Sequence, residues 1–283
     1  MPRHRIRRIV RSALRKLRSA PPGLVALGAL LALAALWLAV NGLVQVVRKP
    51  SELFFPVSGV LHKSPTETWR HYEPMFRAHA TAVVTADLLA ALAQVESAGN
   101  PVARTNWRWR LTEDPFDVYR PASSAVGMFQ ITDGTFRQAR RYCIHHHAVV
   151  EDGPWHDWDS CWFNSFYFRV VPSHAAEMTA AFLDRSVARV LARQKVAKAT
   201  LRQKQELAIV MHLCGAGAGE VYARGGLRLA ANQRCGGQDV HAYVERVRAM
   251  QAQFARLAER AAAPLHLASG TGTGYPSRFK EAA

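Results

Sequence analysis

The chain has 283 residues, 49% of them hydrophobic, and a formal net charge of +16. That length leaves room for one well-buried domain plus appendages, and the hydrophobic share is ordinary for a globular protein. The charge alone permits a nucleic-acid partner, but the apolar segment that follows the basic N-terminus argues against one.

Residues 1–22 carry Arg3, Arg5, Arg7, Arg8, Arg11, Arg15, Lys16 and Arg18 and no acidic residue, which leaves +8 of the +16 for the remainder. From Leu24 to Val47 there is no charged side chain, and only Asn41 and Gln45 are strongly polar. A helix of that length spans about 36 Å, against about 30 Å for a hydrocarbon core. A basic arm before such a segment predicts a cytoplasmic tail at 1–22 and a single-pass signal anchor at 23–47. The rest is then expected in the periplasm, held to the inner membrane. A cleaved signal peptide is the competing reading. Its small-residue cleavage pattern is poorly matched by Ala39-Val40-Asn41, so an uncleaved anchor is favoured.

Residues 48–74, punctuated by Pro50, Pro56, Pro65 and Pro74, read as a linker. An Ala- and Leu-rich run from about Met75 to Val95 reads as a helix that Gly99, Asn100 and Pro101 terminate. Glu96 thus falls on the last turn of a largely apolar helix. Apolar surroundings and the negative end of the helix dipole both disfavour its charged form, as a general acid requires. Between residues 104 and 122, aromatic and arginine side chains alternate around Trp107, Trp109 and Tyr119. This stretch suits either stacking against sugars or plugging the domain core.

Gly127-Met128-Phe129-Gln130-Ile131 comes next, then a helix over 133–142 with Thr132 or Asp133 as its cap. The segment through Cys143, His145, His146, His147 and Cys161 is too irregular for a helix. Adjacent histidines point different ways and match no known ligand spacing, so no metal is assigned and no cofactor is required. Further helices are expected from Ser173, as N-cap, to about Lys198, from about Arg202 to Cys214, and from about Val240 to Ala261. The glycines of Gly215-Ala216-Gly217 read as the stop of the second of these. Residues 263–283 read as a flexible Ser/Thr/Gly tail. An exported location favours two local disulfides, Cys143–Cys161 and Cys214–Cys235, out of three possible pairings. The class is mainly α.

Two of these segments carry a resemblance. Glu96-Ser97-Ala98-Gly99-Asn100-Pro101 followed by Gly127-Met128-Phe129-Gln130-Ile131 resembles the signature of the soluble-lytic-transglycosylase (SLT) domain family. His212-Leu213-Cys214-Gly215-Ala216-Gly217 and Tyr243-Val244 fall where that family has its other two motifs. The resemblance implies a lysozyme-like helical domain over 75–262 that cleaves peptidoglycan glycan strands. It implies Glu96 as general acid and then base, with a 1,6-anhydro-MurNAc product. It places Ser97, Gly127, Met128, Gln130 and His212 along the substrate cleft and Tyr243 against Glu96. The family commonly has Tyr-Asn where this chain has His212-Leu213. The alternatives are a muramidase, with Glu113, Asp114 or Asp117 as a second carboxylate, and a non-catalytic peptidoglycan-binding scaffold. An envelope or secretion apparatus is left open as a further partner.

Overall fold

The structure, a computed structural model, describes residues 21–157 and 159–262. The arginine-rich segment 1–20, Trp158 and the tail 263–283 lie outside the described residues. The chain divides into two compact units, one built from residues up to Leu53 with Asn106–Ala122, the other from Phe54–Thr105 and from Ser123 onward.

In the first unit, α1 (Pro22–Arg48) starts with proline inside its first turn, where the missing N–H costs nothing. It is long and apolar enough to cross a membrane, with mean hydropathy 2.5 and leucines facing outward along it. Its two polar side chains behave differently. Asn41 and Gln45 are only 1% and 4% exposed. Asn41 Nδ2 donates to the carbonyl of Tyr119 at 2.7 Å, and Gln45 Nε2 to that of Phe116 at 2.6 Å. Those carbonyls belong to an antiparallel hairpin of β1 (Trp107–Trp109) and β2 (Tyr119–Pro121), in register Trp107 to Pro121 and Trp109 to Tyr119. Trp37 stacks on Trp109 with ring centroids 6.1 Å apart, and Arg48 pairs with Asp117 at 2.7 Å and Asp114 at 3.5 Å. The aromatic–arginine stretch thus closes on the apolar helix.

The second unit is mainly helical. Residues 65–74, expected as linker, belong to α2 (Pro65–Ala78), which keeps Pro74 inside it. Ser64 and Glu67 form a capping box at its start, satisfying two orphan N–H groups reciprocally. Trp69, Tyr72 and Phe76 form its buried face. The helix expected to run from Met75 to Val95 is broken. The chain turns at 79–85, where Thr81 Oγ1 accepts the Val84 N–H at 2.9 Å and donates to Asp184 at 2.6 Å. It resumes as α3 (Ala86–Ser97), in which Leu88 to Ala93 are all fully buried. A helix apolar on every side belongs inside a domain, and α3 packs between α2 and the helix over Val240–Ala262.

After α4 (Asp133–Ala139), capped by Thr132, the histidine-rich segment is a hairpin of β3 (Tyr142–His145) and β4 (Ala148–Glu151). His146 and His147 form its turn with positive φ, and no group of three His, Cys, Asp or Glu among the described residues is arranged to hold a metal. Next comes α5 (Pro172–Arg193), which begins at Pro172 without the expected Ser173 side-chain cap and ends before Lys198. Glu177, buried on it, accepts the Ile144 N–H at 2.8 Å and the Tyr167 hydroxyl, tying the hairpin to the helix. α6 (Leu201–Cys214) opens with a Thr200–Gln203 capping box and stops at Gly215. Gly217 does not prolong that stop: it lies inside α7 (Ala216–Arg224). A two-residue hairpin of β5 (Arg234–Cys235) and β6 (Gln238–Asp239) leads into α8 (Val240–Ala262). Val240, Tyr243, Val244, Val247 and Phe254 are its buried stripe, and its main partner is α3. Cys143 pairs with Cys161 and Cys214 with Cys235, at Cα separations of 5.4 and 5.6 Å.

Gly99, just past α3, has φ +67, and a Cβ there would fall 2.4 Å from Thr68 Oγ1. Thr68 is fully buried and donates to Gln94 Oε1 at 2.7 Å, so it cannot swing aside cheaply. Gly99→Ala should therefore lower stability by about 2 kcal/mol or more in urea unfolding, from backbone strain plus overpacking. Adding Thr68→Ala should return part of that loss, so the two substitutions will be non-additive.

Candidate active site

Glu96 occupies the final turn of α3. The helix closes with Ala98 in the left-handed region and with the Ala98 and Gly99 N–H groups bonded back to Gln94 and Ala93 carbonyls. This close leaves the Glu96 side chain 17% exposed, at the edge of the core. The segment 58–64 braces the same end. Gln94 Nε2 donates to the Lys63 carbonyl at 2.9 Å, the Lys63 N–H to the Ala98 carbonyl at 2.8 Å, and the fully buried Asn100 amide to the Ser58 carbonyl.

Ser97, expected beside the sugar, faces inward and is 7% exposed. Its Oγ lies 2.9 Å from the Ala93 carbonyl oxygen and 2.8 Å from that of Met128, and accepts the Asn100 N–H at 3.2 Å. The residue is a bolt between the end of α3 and the 127–131 segment. Gly127 has φ +79, and a Cβ there would meet the Arg169 carbonyl oxygen at 2.3 Å. The close approach that requires a glycine is thus made by the protein's own backbone. Met128 and Phe129 are fully buried, so Met128 too is a core residue. Gln130 adopts φ 48 and turns its amide back to the Gly127 carbonyl at 2.9 Å. Arg169 fixes the far side, donating to the Ile131 carbonyl at 2.9 Å and pairing with Asp133 at 2.7 Å.

Two side chains from distant sequence complete the site. From α8, Tyr243, 2% exposed, donates its hydroxyl to Glu96 Oε1 across 147 positions of chain. Burial, with the Glu96 charge beside it, pushes the Tyr243 phenol well above its ordinary range, so it stays a proton donor. From α6, His212 Nε2 sits 3.6 Å from Glu96 Oε1 with its side chain 12% exposed. Sequence reasoning placed His212 in the cleft but did not see it beside Glu96. Its spacing on α6, four residues beyond the fully buried Ala208, is the signal that could have placed it on the inward face. His212 and Gln130 also line a small groove of about 50 Å³ with Thr132, Thr135 and Met178. Glu96 thus has a phenol and an imidazole as its described polar partners.

Burial lowers the His212 pKa and the Glu96 charge only partly offsets this, so the ring is neutral near pH 7. Below its unfolded value of about 6.5 the unfolded chain binds the proton first. The His212 contribution therefore destabilises the fold as pH falls through that value towards the folded one. Denaturant unfolding across pH 7 to 5 should show a shallower decline for His212→Gln than for the parent chain.

Residues 73–154 match the family described as Transglycosylase SLT domain, a span that holds Glu96 and Gly127–Ile131 and ends before His212 and Tyr243. Searches of curated proteins and of solved structures return no match. The family implies transglycosylases that bind the glycan strands of peptidoglycan, typically lytic ones. What is shown is thus a match to the transglycosylase SLT domain over residues 73–154.

Proposed function

We propose that this protein is a membrane-anchored lytic transglycosylase that cleaves the β-1,4 bond between MurNAc and GlcNAc. The observation that carries the reading is the Tyr243 hydroxyl held on Glu96, which orients one carboxyl oxygen and leaves the other for substrate. Glu96 gives its proton to the bridging oxygen as the bond to C1 breaks. The muramic C6 hydroxyl then adds to C1 while Glu96 takes its proton, so the carboxyl ends as it began and no water is consumed. The neutral His212 adds a polar wall without placing a cation against that carboxyl.

Two further observations support parts of this reading. Asp114 and Asp117, two of the three carboxylates (with Glu113) that a muramidase could recruit to activate water, are ion-paired with Arg48. The last two turns of α1 are hydrogen-bonded through Asn41 and Gln45 to the hairpin at 106–122, contacts that a cleaved signal peptide would forfeit. An apolar N-terminal helix and two disulfides suit an envelope location, which we assign to the inner membrane with the catalytic domain in the periplasm.

With purified peptidoglycan and the full chain in detergent, Glu96→Gln should lower muropeptide release by about 10²-fold or more. Tyr243→Phe should cost about tenfold in kcat while binding to intact wall is retained, since it removes one hydrogen bond to a charged group. Undiminished release by Glu96→Gln would refute the assignment.

A further inference from the structure

The hairpin at 106–122 has no part in the proposed wall-cleaving chemistry, and its contacts within its own unit point elsewhere. Twenty residues of helix, from Pro22 to Asn41, span about 30 Å, the thickness of a hydrocarbon core. Asn41 therefore marks where α1 leaves that core, and Gln45 and Arg48 stand one and two turns beyond it. The hairpin meets these very positions. Its Tyr119 and Phe116 carbonyls take the Asn41 and Gln45 amides, and its Asp117 and Asp114 take Arg48. One turn below Asn41, Trp109 stacks on Trp37, and Tyr119 stacks on Trp109 at 4.5 Å.

What the hairpin presents outward has the composition of a lipid headgroup contact. Trp109 is 65% exposed and Leu111 fully so, although both are large apolar side chains. Arg108 and Arg110 alternate with them and are exposed as well. Apolar exposure continues along α1 through Leu38, Val40, Leu43 and Val47. Tryptophan and tyrosine concentrate where hydrocarbon gives way to headgroups, and arginine reaches the phosphates there.

We propose that the 106–122 hairpin is a membrane-interface clasp. It desolvates the polar exit of α1 and lays Trp109 and Leu111 among the glycerol and upper acyl carbons of the outer leaflet, with Arg108 and Arg110 on lipid phosphates. The proposal rests on α1 being the membrane anchor inferred above. It makes the hairpin part of the anchor.

The test uses the full chain reconstituted in vesicles of phosphatidylethanolamine and phosphatidylglycerol. Quenching of tryptophan fluorescence by lipids brominated near the glycerol end of the acyl chain is compared between Trp37→Phe and Trp37→Phe/Trp109→Phe. The difference isolates Trp109, which should be quenched several-fold more by brominated lipid than by aqueous iodide. Breaking the helix side with Asn41→Leu/Gln45→Leu, in the Trp37→Phe background, should reverse that preference. Trp109 open to iodide and untouched by brominated lipid, in a chain that resists alkaline extraction, overturns the clasp and leaves the anchor standing. Release of the chain by alkali overturns the anchor itself, and the clasp with it.

Discussion

One buried contact organises the helical unit: the Tyr243 hydroxyl on the Glu96 carboxylate, made where the C-terminal helix α8 crosses the end of α3. Neither partner is positioned by its neighbours in sequence. Glu96 is set by the way α3 stops, and Tyr243 by the apolar stripe that packs α8 on α3. A phenol in that place has to be satisfied, because a buried hydroxyl without a partner costs about 1–3 kcal/mol. The carboxylate supplies the partner, and in return loses the freedom to swing. Packing energy in the core is thereby converted into orientation at the edge of it.

The other side chains around the site serve the same end at one remove. Ser97 and Asn100 lie next to Glu96 in sequence yet face inward, linking α3 to Met128 and to Ser58. Gly127 is demanded by the Arg169 carbonyl that crosses it. The most specific words of the sequence signature are therefore largely words about holding a loop and a helix end together. Only Glu96 among them presents a reactive group outward, and His212, from a segment that departs from the usual pattern, stands beside it.

The long periodic pieces of this chain were legible: α1, α6 and α8 lie within a residue or two of where apolar spacing and capping residues put them. The two local disulfides were too, because closing a loop of about twenty residues needs only local geometry. The break at 79–85 was not, since it is made by the Thr81 hydroxyl bonding its own backbone and Asp184, a partner 103 positions away. The short hairpins carry too few residues for an alternation to register. The inward turn of Ser97 and the target of the 106–122 hairpin depend on what lies across from them, which no local pattern encodes. A Ser64-x-x-Glu67 capping box was in plain view and would have moved the start of the helical domain forward.

In the proposed mechanism one carboxyl group, Glu96, works without a water-activating partner. Digesting peptidoglycan in water enriched in heavy oxygen, and weighing the released muropeptides, tests this most directly. That mechanism gives anhydro products that carry no heavy oxygen. Reducing-end products with one heavy oxygen at C1 would contradict it, because they require a water that a second group in the site must have activated.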